Sequence, residues 1–99
     1  MITLINKVTV TGDLAEFRRA NEDLADYMRV QPGARRFQLL QSPDAPEVFV
    51  EVAEWESREH HQRALQAPGF LDKAKALRAV ADFERNLYTV VRTEEGKAA

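Results

Sequence analysis

Residues 48–57, VFVEVAEWES, decide the fold. From Val48 to Trp55 the residues alternate with a period of two, which predicts a β-strand. Val48, Val50 and Val52 share one face; Phe49, Glu51, Ala53 and Trp55 share the other. Both faces are mainly apolar, so each needs a cover. A lone domain of 99 residues has material for one helix layer, which leaves the second face for a partner subunit. Ser57 stands directly after the strand, where it can cap a helix that carries Glu59 in its first turn.

Upstream, Ser42-Pro43-Asp44-Ala45-Pro46 reads as a stiff turn, and Phe37 to Gln41 as the other arm of a hairpin. Pro32-Gly33 ends a first helix near Val30. Asp13 is its N-cap, with Glu16 three residues on. Leu14, Phe17, Asn21, Leu24 and Met28 recur on its inner stripe, and Arg18, Arg19, Glu22, Asp26 and Arg29 lie opposite. The first strand, Ile2 to Val10, has an apolar even face on which Asn6 is the one polar residue. Downstream, His61, Ala64, Leu65 and Pro68 share a helical stripe that Pro68-Gly69 breaks. Phe70, Ala74, Leu77 and Ala81 continue in a further helix, and Leu87 to Val91 reads as the last strand. The order is β-α-β-β-α-β with the second helix broken: an α+β, ferredoxin-like split βαβ fold. Residues 1–93 are expected to form one domain and 94–99 a flexible tail.

Composition narrows the function. Hydrophobic residues make up 44% and charged residues 30%, as in ordinary globular domains. With 14 basic and 16 acidic side chains the net charge is −2, which offers no footprint for nucleic acid or anionic lipid. Cysteine is absent, so disulfides and thiolate chemistry are excluded. MITLINKVTV lacks a basic segment followed by an apolar core, and no apolar run is long enough to span a membrane. A cytoplasmic protein is expected.

Three residues carry candidate chemistry. Glu51, if it faces the helices beside Phe49, Ala53 and Trp55, is a carboxylate in an apolar wall. Burial then raises its pKa and lets it take a proton from a phenol or an activated C–H. The resulting anion can pass an electron to oxygen. Alternatively, Glu51 pairs with an arginine such as Arg36. Trp55 either stacks on a flat substrate or plugs the strand-to-helix corner. His61 is a second candidate base, a hydrogen-bonding partner for a substrate oxygen, or a locally satisfied histidine. Asn6, Phe49, Tyr27 and Tyr88 are the further expected substrate contacts. His60 is rotated about 100° from His61 on a helix and is expected at the surface. No metal site is expected, because no third ligand lies near this pair. Arg35, Arg36, Lys73 and Lys75 read as surface charges.

The pattern over residues 2 to 92 resembles the antibiotic biosynthesis monooxygenase family of dimeric α+β barrels. INKVTV, Gln31-Pro32-Gly33 and above all the run from Phe49 to Ser57 carry the likeness. The resemblance implies a homodimer joined through the open sheet face and a pocket between sheet and helices. It also implies oxygenation of aromatic polyketides without metal or flavin, although other members use reduced flavin or cleave haem. Anthrone-oxidising members carry an asparagine where this chain has Glu51, a tryptophan that matches Trp55, and a tyrosine where His61 stands. Their arginine falls near Ala74 or Lys75. Of the haem-cleaving residues only the first-strand asparagine, Asn6, is matched, while Ala64 and Ala74 occupy the other two positions; haem cleavage is disfavoured.

The expected function is a small monooxygenase that oxidises a polyketide-like aromatic, phenol or quinol with O2. It is expected to need no cofactor; the alternative is reduced flavin supplied by a partner reductase. A cyclase or isomerase of the same fold would use Glu51 and His61 without oxygen, and a non-catalytic binding dimer would have a filled interior.

Overall fold

A computed structural model describes residues 1–98. The chain runs β1 (Ile2–Val10), α1 (Leu14–Met28), β2 (Ala34–Gln41), β3 (Val48–Trp55), α2 (Arg58–Gln66), α3 (Phe70–Arg78) and β4 (Ala81–Tyr88). The four strands form one sheet in the order β2-β3-β1-β4, with every neighbouring pair antiparallel. The helices pack on one face, giving the ferredoxin-like α+β arrangement that the alternation in residues 48–57 predicts. Among the described residues no helix is long and apolar enough to cross a membrane.

The helix starts follow local chemistry. Asp13 accepts a hydrogen bond from the backbone N–H of Glu16 at 3.0 Å, and Ser57 accepts one from His60 N–H at 3.1 Å. Phe17, Asn21 and Met28 are the buried residues of α1; Leu14, expected on that stripe, is exposed on the first turn. Between α2 and α3, Ala67 is extended and Gly69 takes a left-handed φ of 92°.

The last strand departs from expectation. It spans Ala81–Tyr88, not Leu87 to Val91, and Ala81 is its first residue instead of a helical one. Val80 N–H closes the helix end on Leu77 O at 3.0 Å, and the carbonyl of Val80 takes both Thr11 N–H and Gly12 N–H. Ala81 then pairs with Val10. Inward Ala81, Phe83 and Leu87 do alternate, but Arg85 interrupts them and charged outward residues mask the pattern. The β-branched Val90 and Val91 are a decoy: they lie beyond the sheet and are exposed. β2 likewise starts at Ala34, ahead of the expected Phe37, through an irregular register between Ala34 and Arg36. Residues 89–98 have no regular secondary structure, and Ala99, the end of the expected tail, lies outside the described residues.

The core forms in two clusters. Ile2, Leu4, Met28, Ala53, Trp55 and Ala64 pack together at one end of the sheet. Val8, Val10, Phe17, Phe49, Leu77 and Ala81 pack at the other. Leu24 touches both. The face away from the helices carries Ile5, Val50 and Val52 half-buried, with Leu40 and Tyr88 half exposed.

Gly33 links α1 to β2 at a φ of 85°, and a Cβ added there would lie 2.3 Å from His60 Cγ. Left-handed strain and overpacking therefore act together on any side chain at this position. Gly33→Ala is expected to lower unfolding free energy by about 2–4 kcal/mol, read from the urea midpoint at constant m.

Candidate active site

The two apolar clusters are separated by a polar row across the inner face of the sheet. Strand register creates it: Asn6 in β1 pairs with Glu51 of β3 on one side and with Arg85 of β4 on the other. Directly paired residues on neighbouring strands point to the same face, so all three side chains meet the helix layer. The next inward row on one side is Leu4 with Ala53 and Leu87; on the other it is Val8 with Phe49 and Phe83. The polar row is thus framed by apolar residues.

A cleft opens over this row in two lobes. The inner lobe, about 90 Å³, is walled by Leu4, Met28, Phe37, Ala53, Leu65 and Phe70, and Glu51, Asn6, Trp55, His61 and Arg85 reach it. The outer lobe, about 270 Å³, meets it at Asn6, Leu24, Phe70 and Arg85. Asn6 and Glu51 bring an amide and a carboxylate into the otherwise apolar floor of the cleft, and the exposed Arg85 stands at its edge-strand side.

Glu51 is half-buried at the floor. Asn21 Nδ2 of α1 donates to Glu51 Oε2 at 3.2 Å. Burial pushes the carboxyl above its ordinary range, and the Asn21 hydrogen bond acts in the opposite direction. Arg36, the alternative partner, instead pairs with Glu54 at 3.7 Å. Glu51 is therefore held by an amide and not neutralised by a cation.

Trp55 and His61 form the back wall. Trp55 is only 1% exposed, its ring 5.7 Å from that of Phe37 and 5.5 Å from that of His61. His61 is 4% exposed; burial, and secondarily the positive charge of Arg85, push its pKa down. A depressed imidazole is neutral at pH 7. Three buried polar atoms here have no hydrogen-bond partner: Trp55 Nε1, Asn6 Oδ1 and His61 Nε2. They comprise one donor, one acceptor and one atom whose role follows the tautomer. Buried polar atoms rarely stay unpartnered, and these three belong to residues that line the inner lobe. Trp55 fills its corner as a lining residue of the inner lobe, with its indole N–H buried and without a partner.

The other expected contacts lie elsewhere. Phe49 is fully buried against Phe17, ring centroids 4.9 Å apart, in the cluster beyond the cleft. The Tyr27 hydroxyl donates to Pro68 O, tying α1 to the corner between α2 and α3, with Lys73 Nζ 5.8 Å above its ring. Tyr88 pairs with Thr3 on the opposite face of the sheet and is half exposed. His60 is partly exposed, its Nδ1 2.7 Å from Ser57 Oγ. Asn21 and Arg85 are site residues that reading the chain missed. Asn21 had a signal, a lone amide on an apolar helical stripe; Arg85 needed the true bounds of β4. Among the described residues no three His, Cys, Asp or Glu side chains come together in a way that could hold a metal.

Comparison with known proteins bears on the family and the fold. The sequence profile described as antibiotic biosynthesis monooxygenase matches residues 1–76. Deoxynogalonate monooxygenase of Streptomyces nogalater is 38% identical over 92 residues, spanning 93% of this chain and 78% of the relative. The crystal structure of SnoaB, a cofactor-independent oxygenase from Streptomyces nogalater, superposes with a TM-score of 0.91 at 38% identity, covering 93% of this chain and 94% of that one. A structure from Nitrosomonas europaea under the same family description matches with a TM-score of 0.81 at 22% identity, over 93% of this chain and all of that one, and speaks to the fold alone.

The environment of Glu51 has a consequence for stability. A carboxyl with a raised native pKa binds its proton more tightly folded than unfolded. Its penalty is absent below the ordinary value of 4.5 and grows as pH rises through the raised native value. Glu51→Gln removes the charge and keeps an acceptor for Asn21. It should raise Tm by a few degrees at pH 7.5, with the gain vanishing near pH 4 in parallel thermal melts.

Proposed function

This chain belongs to the antibiotic biosynthesis monooxygenase family, and from that premise we propose that it oxidises a flat phenolic or anthrone-like polyketide with molecular oxygen, using no metal or flavin. The description of SnoaB as cofactor-independent supports the last part. The observation that carries the reading is the half-buried Glu51 carboxylate, held by Asn21, in one apolar pocket with three unpartnered polar atoms.

The roles follow from atom types. A hydroxyl beside a carbonyl on a fused aromatic offers one donor and one acceptor. Asn6 Oδ1 accepts from the hydroxyl, and Trp55 Nε1–H donates to the carbonyl oxygen. Phe37 and Trp55, in edge-to-face contact with each other, wall one side of the rings. Glu51 takes a proton from the activated CH2, and the negative charge spreads onto the oxygen that Trp55 holds. The carbanion gives one electron to O2, forming superoxide and a substrate radical, which combine into a peroxide. The peroxide takes a proton back from Glu51 and loses water. The balance is CH2 plus O2 to C=O plus H2O, with both electron pairs drawn from the substrate. Neutral His61 borders the site as a hydrogen-bonding partner for the peroxide. A filled, non-catalytic interior does not fit the two open lobes.

We further propose that the apolar sheet face of Ile5, Val50, Val52 and Leu40 is covered by a second copy, making a cytoplasmic homodimer. Continuous apolar surface of this kind marks an interface.

Dithranol, a dihydroxyanthrone, is the test substrate. Oxygen uptake should be stoichiometric with quinone formed; isomerisation without uptake would point to the cyclase reading. Glu51→Gln should lower kcat by about 100-fold or more with KM little changed, since proton abstraction matters in the transition state. The acid limb of the wild-type pH profile should lie above 4.5, because the base works only when ionised. Val50→Arg should halve the mass seen by light scattering, and an unchanged mass would place the interface elsewhere.

A further inference from the structure

Asn21 lines neither lobe of the cleft, yet it makes the one part-buried side-chain hydrogen bond between the helix layer and the sheet among the described residues. It is 8% exposed and stands on the buried stripe of α1 with Phe17 and Met28. An asparagine inside a helix is a poorer helix former than leucine, and its amide needs a partner when buried. Glu51 Oε2, 3.2 Å from Asn21 Nδ2, is that partner.

A matched spacing delivers Asn21 to the acid. Phe17 of α1 packs against Phe49 of β3, ring centroids 4.9 Å apart. Asn21 follows Phe17 by four helical residues, an advance of about 6 Å. Glu51 follows Phe49 by two strand residues on the same face, an advance of about 6.6 Å. Helix and strand therefore keep step from the aromatic pair to the polar pair. Further along both, Met28 packs in one cluster with Ala53 and Trp55.

We propose that Asn21 is the positioning residue for the base: it clamps Glu51 Oε2, so that the substrate's proton is received on Oε1. The inference rests on the oxygenase reading of the same cleft and assigns which oxygen of the acid reacts. The Asn21 bond is the only hydrogen bond of the Glu51 side chain among the described residues, which leaves Oε1 open. An ionised carboxylate only accepts hydrogen bonds, so Nδ2–H meets Oε2 in that state. Once Oε1 carries the proton, Oε2 is a carbonyl oxygen and still accepts from the same N–H. A proton on Oε2 would instead set O–H against N–H. The clamp therefore survives both charge states, whereas a lysine or arginine in its place would hold the acid ionised. With one oxygen fixed, the other keeps its place relative to the reacting carbon, and the barrier falls through orientation.

Kinetics and titration test the clamp separately. Leucine is close to asparagine in size and has no polar side-chain atoms. In Asn21→Leu, kcat on dithranol should fall about ten-fold with KM within about two-fold, since orientation is lost in the transition state. The acid limb of the pH profile should move upward, because the hydrogen bond that lowers the Glu51 pKa is gone. Asn21→Asp sets a second carboxyl beside the first and should move the limb further up. In the Glu51→Gln background, Asn21→Leu should change the residual rate by less than about two-fold, because both residues act through one group. Equal losses in the two backgrounds, or an acid limb that stays in place, overturn the proposal. Carbon-13 NMR of the carboxyl signal that disappears in Glu51→Gln reads the same titration without turnover. A raised midpoint in Asn21→Leu with no dithranol oxidation removes the oxygenase reading and keeps the clamp. Oxidation with an unmoved midpoint keeps that reading and overturns the clamp.

Discussion

Cross-strand register on the inner face of the sheet is the constraint on which the rest depends. Pairing Asn6 with both Glu51 and Arg85 sets an acid and an amide within a surface that is otherwise aliphatic and aromatic, with an exposed cation beside them on the edge strand. A shift of one residue in either pairing would turn the row outward and close the core. As folded, the row divides the apolar interior into two clusters and leaves a cleft between them. The site is thus a planned interruption of the core and not a hollow added to a finished one.

That interruption has a cost and a use from the same source. Glu51 in an apolar surround resists ionisation, and His61 resists protonation. Asn21 holds the acid by a neutral hydrogen bond, which positions it without removing its basicity as a salt bridge would. The cation of the row is kept away from the acid by the width of Asn6.

Most of the helix and strand order was legible in the chain because it rests on local rules. Period two in residues 2–10 and 48–55, the caps at Asp13 and Ser57, and the breaks at Pro32-Gly33 and Pro68-Gly69 each depend on neighbours in sequence. β4 was misplaced because its defining contacts are with β1, and because Arg85 breaks the alternation that would have revealed it. Tyr27, Phe49 and Tyr88 were reasonable aromatic candidates whose destinations are set by packing: a helix corner, the second core cluster and the opposite sheet face.

The amino-acid sequence alone determined that Phe49, Glu51, Ala53 and Trp55 share one face of their strand, that Asn6 is the one polar residue on the apolar face of the first, and the family likeness that the Phe49 to Ser57 run carries. Alternation and capping are short-range properties, and the chain states them directly. Only the tertiary structure decided that Asn6 lies between Glu51 and Arg85, that Asn21 reaches across from α1 to the acid, and that three polar atoms are buried without partners. Those facts depend on strand register and helix placement, which arise from the whole chain folding at once and belong to no single segment of it.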